Sequence, residues 1–89
     1  MTHDLKILPK HFNAVADSSK PFEIRWDDRF YAVGDTLRLR EWTEDGCSGA
    51  FTGREIAADV CCKLSGHDFD GIKIGYCVLG LKNVEVVHQ

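Results

Sequence analysis

The chain has 89 residues, of which 44% are hydrophobic and 28% are charged, and its net charge at pH 7 is −3. A chain of this length forms one domain with a small core, so we expect a single domain over residues 1–89. The acidic balance argues against avid, non-specific binding to duplex DNA, which needs a broad basic field. No apolar run is long enough to cross a membrane, and no signal-peptide pattern is present. We therefore expect a cytoplasmic protein without a membrane partner.

The first part of the chain predicts a strand followed by a short helix. Polar and apolar side chains alternate over Asp4–Leu8, which is typical of a strand. Pro9 suits the first position of a helix, and apolar residues at helical spacing extend that helix to about Asp17. Because Pro21 cannot continue a helix, the next element begins after it.

That next element, residues 22–26, alternates between apolar and charged side chains. Successive side chains of a strand point to opposite faces, so this strand should have one apolar and one ionic face. We expect the ionic face, with Glu23 and Arg25, to point away from the core. The apolar face, expected in the core, holds Phe22, Ile24 and Trp26.

The middle of the chain predicts a third strand, Thr36–Trp42, in which Leu37 and Leu39 face the core. The segment Glu44–Gly53 is rich in Gly, Asp, Ser and Thr, so we expect it to be a hairpin loop. The outward face of this strand is expected to hold Arg38, Arg40 and Trp42.

The last part of the chain predicts two or three more strands. Residues 76–81 are apolar on both faces and should form a central strand. Asn83 marks a turn or bulge, and a last strand follows over residues 84–87. A further strand is predicted over residues 54–64, before the two just described. Its apolar side chains all lie on one face: Ile56, Ala58, Val60, Cys62 and Leu64.

These elements amount to an α+β domain of five or six mostly antiparallel strands, with one short helix between the first two. In so short a chain, such strands close most readily into a small barrel, which removes exposed edges.

Four cysteines stand at positions 47, 61, 62 and 77. Without a secretory signal they should be reduced thiols, and without a CxxC pair they do not indicate a zinc site. We expect them to be small buried apolar side chains, with Cys47 alone exposed in its loop. No metal or other cofactor is expected.

Segments along nearly the whole chain resemble one known family. Residues 5–9 with Phe12, residues 20–35, and residues 52–54 with 75–81 follow in an order and at spacings that resemble the ASCH family, in particular its short single-domain members from bacteria and phages. The resemblance implies a PUA-like β-barrel with a cleft beside the first helix. It also implies that the Lys20-x-x-Glu23-x-Arg25 segment lines that cleft and that the ligand is RNA or a nucleotide.

Some ASCH proteins are amidohydrolases that deacetylate a modified cytidine with a Lys, a Thr and a Glu. Lys20 matches that Lys, but Glu23 or Ile24 stands where the Thr should be, and neither is a hydroxyl. The helical insertion that carries the family's Glu has no counterpart here. A small hydrolase acting on a modified nucleoside or RNA, with Lys20 and Glu23 as catalytic residues, is therefore the alternative to a binding module.

The binding hypothesis rests on three kinds of contact. The planar guanidinium group of Arg can hydrogen-bond to a phosphate or a base edge, and Lys supplies a mobile positive charge. Aromatic side chains can stack on unpaired bases. Nearby aspartates dilute the positive field, which favours a small ligand or a short single strand over a duplex. A surface ion-pair network, or a face that binds another protein, would use the same residue types. The predicted RNA-binding residues are Lys20, Glu23, Arg25, Arg29, Arg40, Trp42, Arg54 and Tyr76.

Overall fold

The structure, a computed structural model, describes residues 1–45 and 48–88. Within these residues the chain forms an α+β domain with one helix between its first two strands, as expected. The helix begins at Pro9, whose missing N–H costs nothing at that position. The elements are β1 (Thr2–Ile7), α1 (Pro9–Ala16), β2 (Phe22–Trp26), β3 (Thr36–Asp45), β4 (Ser48–Ser65) and β5 (Tyr76–His88).

The strands form one sheet in the order β1-β3-β4-β5-β2. β1 pairs with β3 in parallel, and the other neighbours are antiparallel. β1 and β2 are the two edges, and in the described residues they do not pair with each other, so the expected closed barrel is wrong. Arginine side chains, rather than a backbone ladder, connect these two edges.

Two predicted irregularities lie inside longer strands. The expected loop over Glu44–Gly53 is wrong for the described residues in it, since β3 and β4 continue pairing there; residues 46–47 lie outside the described residues. Trp42 and Phe51 explain the extended pairing, because their rings meet edge to face across the strands with centroids 4.8 Å apart. Asn83, with φ 53°, is a bulge within β5 rather than a break between two strands.

The core lies between α1 and one face of the sheet. Leu37 and Leu39 are fully buried, as predicted for β3, and Phe12 and Val15 of α1 pack with them in one cluster. The helix found in the described residues lacks the length and apolar character of a membrane-spanning segment.

From Cys61 onward, the side chains of β4 do not lie on the face that the sequence predicted. Val60 pairs with Leu81 and Cys62 pairs with Gly80, which leaves Cys61 as the extra residue of a bulge. The strand therefore turns over at this point: Cys61 and Cys62 are both exposed, contrary to expectation, while Cys77 is buried as predicted. Leu64 is likewise exposed rather than in the core. The prediction for Cys47 falls outside the described residues.

β2 carries the largest departure, because its orientation is the reverse of the predicted one. Glu23 is only 3% exposed, whereas Ile24 is 57% and Trp26 is 54% exposed. Phe22, on the same side as Ile24, is also exposed. The expectation that the apolar face enters the core is wrong, and the reason is the set of partners that surrounds Glu23.

Candidate ligand-binding site between β1 and β2

Two arginines bridge the gap between the free edges of β1 and β2. Arg25 Nη2 donates a hydrogen bond of 2.8 Å to the carbonyl oxygen of Lys6. Arg29 Nη1 donates one of 2.9 Å to the carbonyl oxygen of Asp4. Carbonyls two residues apart point to the same edge of a strand, so these guanidinium groups take the place of a pairing strand. We call this gap, between residues 4–7 of β1 and residues 23–29, the seam.

A buried carboxylate anchors one end of the seam. Glu23 Oε2 accepts a hydrogen bond of 2.9 Å from Arg25 Nε, and Glu23 Oε1 lies 3.4 Å from Lys20 Nζ. Lys20 Nζ also lies 3.1 Å from His11 Nδ1 on α1. A charge in a low-dielectric interior needs such partners to offset its desolvation. The three residues of the predicted motif therefore do meet in space, and they account for the inward orientation of β2.

The connection from α1 to β2 brings Lys20 to this cluster. Its backbone N–H donates a hydrogen bond of 3.0 Å to the carbonyl oxygen of Ala14 at the end of the helix. Pro21 then separates Lys20 from the alternation of β2. Lys20 can thus lie on the same side as Glu23, although the two residues are three positions apart.

Two cavities lie along the seam, one on each side of Arg25. The smaller, of about 340 Å³, borders α1 and is lined by His11, Lys20 and Glu23 among others. The larger, of about 400 Å³, extends toward Arg29. Lys6 and Arg25 line both cavities, so the two cavities are neighbours along the seam.

The larger cavity is mainly basic. Four cationic and two acidic side chains line it, in a chain whose net charge is −3. Arg40 stacks on Phe51, with Cζ 3.8 Å from the ring centroid. Among the described residues Arg40 Nε is a buried donor without a hydrogen bond, although it lies 3.4 Å from Glu55 Oε2. The charged side chains are Lys6, Arg25, Arg29, Arg40, Asp4 and Asp28.

Aromatic side chains complete the larger cavity. Trp26 lines it with 54% of its surface exposed. Tyr31 lies at its base, and burial raises the pKa of the Tyr31 phenol, with Arg29 and Arg25 opposing that shift. The Tyr31 hydroxyl is therefore neutral at physiological pH.

The remaining predicted residues do not line either cavity. Tyr76 packs edge to face against Trp26, with ring centroids 5.2 Å apart. The Trp42 ring is covered by the Lys6 ammonium group, 3.9 Å from its centroid. Arg54 lies against α1, where its Nη2 donates a hydrogen bond of 2.9 Å to Asn13 Oδ1.

Several residues that line the two cavities are absent from the sequence-based set, and Lys6, His11 and Trp26 are among them. Lys6 stands in register with Arg40 across the parallel β1–β3 pair, so the β1–β3 pairing would have identified it. His11 becomes a neighbour of Lys20 through the turn after α1. Trp26 was expected in the core, and its exposure follows from the reversed orientation of β2.

Comparisons with known proteins identify the family to which this chain belongs. The profile of a family described as a domain of unknown function, DUF3850, matches residues 2–81. An uncharacterized 12.9 kDa protein in the GpA 3' region of Escherichia phage P2 is 41% identical over 58 residues. That alignment covers 65% of this chain and 50% of the phage protein, so the chain spans about half the length of this relative. The family match extends from β1 into β5 and includes every residue of the seam, and the chain therefore belongs to the DUF3850 family.

Proposed function

We propose that this protein is a small PUA-like module of the ASCH type that binds single-stranded RNA or a nucleotide in the seam. The observation that carries the proposal is the larger cavity, which combines four basic side chains with a half-exposed tryptophan in an acidic chain. Its volume of about 400 Å³ lies within the range of ligand pockets.

The guanidinium groups supply the phosphate contacts. The Arg25 and Arg29 donors already bind oxygen atoms of β1, and a phosphate oxygen is a stronger acceptor than a carbonyl because it is charged. Glu23 holds Arg25 in place through its Nε. Arg25 is thus a pre-oriented fork, while Arg29 is more exposed and meets an incoming strand first.

Trp26 supplies the stacking surface. Unpaired bases stack on aromatic side chains in most single-stranded RNA complexes, at about 1–3 kcal/mol per base. Trp26 lines the cavity beside both arginines, whereas Trp42 and Tyr76, the platforms expected from the sequence, lie outside it. Asp4 and Asp28 flank the cavity and interrupt the basic surface that a duplex would need.

Binding is favoured over hydrolysis by the composition of the smaller cavity. Its lining residues, all in the described part of the chain, include no serine, threonine, cysteine or tyrosine. Both carboxylate oxygens of Glu23 already accept hydrogen bonds, one from Lys20 and one from Arg25. The alternative of an amidohydrolase with Lys20 and Glu23 as catalytic residues would need water or Lys20 itself as the nucleophile.

The ASCH assignment is supported by architecture. A helix between the first two strands, a mostly antiparallel sheet and a cleft beside that helix are what the resemblance implies. The open sheet is a departure from the closed PUA-like barrel.

Binding is tested by fluorescence anisotropy with a labelled, mixed-sequence single-stranded RNA of about ten nucleotides. We expect Trp26→Ala to weaken binding on the order of tenfold through lost stacking. Arg29→Gln should weaken it and reduce the salt slope by about 1, as expected for one lost phosphate contact. Arg38→Gln is the matched control, because Arg38 lies outside both cavities and pairs with Glu55.

Equal losses in Arg29→Gln and Arg38→Gln would contradict a site in the seam, and so would full binding by both seam variants. A mononucleotide competitor distinguishes a one-nucleotide site from a longer track. Turnover of acetylated cytidine by the parent protein, lost in Lys20→Ala, would favour the hydrolase instead.

A further inference from the structure

Two adjacent thiols lie on the outer face of β4, away from the seam. In a regular strand, neighbouring side chains point to opposite faces, but the bulge at Cys61 breaks this rule. Val60 before the pair is buried, and Cys61 and Cys62 are both exposed. Beyond the bulge, Lys63 is the next side chain that points inward, and its Nζ donates a hydrogen bond of 2.8 Å to the carbonyl oxygen of Tyr31.

The two sulfur atoms converge over Gly80 on β5. A Cβ atom added to Gly80 would lie 3.4 Å from Cys61 Sγ and in closer contact with Cys62 Sγ. Both sulfurs therefore lie on one side of the sheet, within a few ångströms of a common point. Gly80 has no side chain to cover them, and its other strand neighbour is the apolar Phe22.

We propose that Cys61 and Cys62 form a dithiol site for a soft ion with two or three ligands, such as trivalent arsenic or monovalent copper. Thiolates select soft ions, and two thiols already on one side of the sheet lose little freedom when they chelate. No group of three or more His, Cys, Asp or Glu side chains in the described residues could hold a metal. A four-ligand zinc site is thus not available there, whereas an ion satisfied by two protein sulfurs is.

The two thiols can react with an organic arsenic(III) oxide in a balanced condensation. Each thiol gives up its proton as its sulfur forms a bond to arsenic. The arsenic–oxygen bond breaks, and the oxygen leaves with the two protons as water. Arsenic stays trivalent, so no oxidant or reductant takes part.

The test is a titration of the reduced 89-residue chain with phenylarsine oxide, followed by native mass spectrometry. We expect one arsenical per chain, removed by a competing dithiol at a concentration where a monothiol does not remove it. Because the second sulfur binds intramolecularly, Cys61→Ser and Cys62→Ser should each weaken retention on the order of 100-fold. Both residues are exposed, so these variants should keep the fold, which circular dichroism checks.

Cys47→Ser is the matched control and should retain the arsenical as the parent does. The proposal is overturned if Cys61→Ser and Cys62→Ser both retain the arsenical as the parent does, if Cys47→Ser loses it, or if a monothiol displaces it as readily as a dithiol.

Discussion

β2 and β3 carry the same kind of alternation in sequence but orient it in opposite ways. In β3, Leu37 and Leu39 enter the core, and Arg38 lies outside in an ion pair with Glu55. In β2 the carboxylate of Glu23 points inward and the apolar side chains lie outside. β3 lies between β1 and β4, whereas β2 is an edge strand beside the seam. An ionic face can point inward at an edge when its members pair with one another.

The energetic difference lies in what each strand's inner face contacts. The inner face of β3 meets the core cluster, where apolar area removed from water stabilises the fold by about 25 cal/mol per Å². The inner face of β2 meets Lys20 and β1, where Glu23 gains two cations and Arg25 gains a backbone carbonyl. These partners offset the desolvation of charge.

The largest expected effect is a difference in unfolding free energy between truncating an apolar side chain on β3 and truncating one on β2. Leu39→Ala removes a fully buried side chain and should lower the free energy of unfolding by about 3 kcal/mol. Ile24→Ala, at a side chain that is 57% exposed, should cost less than about 1 kcal/mol. Urea unfolding measures both. Similar losses for the two variants would contradict the reversed orientation of β2.

A smaller effect is expected for the charged residues of the two strands. Glu23→Gln keeps the shape but leaves Lys20 and Arg25 without a counter-charge, at a cost of about 2 kcal/mol. Arg38→Gln, whose side chain is 42% exposed, should cost at most about 1 kcal/mol. The same unfolding experiment compares them, and a larger loss for Arg38→Gln would mean that Glu23 is not the anchor of its cluster.

The smallest effect concerns pH and the start of β3. Asp35 accepts hydrogen bonds from His3 Nε2, at 2.9 Å, and from the backbone N–H of Ala32, at 3.0 Å, and these lower its pKa to about 2. Because this pKa is depressed in the folded state, its contribution to stability is present above about pH 4 and is lost as pH falls toward about 2.

Asp35→Asn should therefore flatten the dependence of the unfolding free energy on pH in that window. Denaturant unfolding at stepped pH values measures the slope for parent and variant. Parallel slopes for the two proteins would show that the Asp35 carboxylate does not contribute to acid sensitivity.

Features set by neighbouring residues could be predicted from the sequence. Pro9 sets the start of α1, Pro21 comes directly before β2, and the spacing of Leu37 and Leu39 identifies the inner face of β3. The motif from Lys20 to Arg25 was located because its members are close in the chain.

Features set by distant partners could not be predicted. Alternation shows that β2 has two faces but not which one enters the core, since that depends on β1 across the seam. The bulge at Cys61 exists because β4 and β5 differ by a residue in their pairing, and no local pattern marks it. Trp42 was expected as a stacking platform, but Lys6 covers its ring through the parallel β1–β3 pair.

The arginine bridges also set how far the two edges of the sheet can separate. A backbone ladder fixes the distance between strands at about 4.8 Å, but long guanidinium side chains can change rotamer while both strands keep their other hydrogen bonds. Breaking one bridge, from Arg25 or Arg29, costs only about 1–3 kcal/mol. A ligand bound in the seam as we propose would exchange its own oxygens for the Lys6 and Asp4 carbonyls while β1 keeps its backbone pairing with β3 and β2 keeps its pairing with β5.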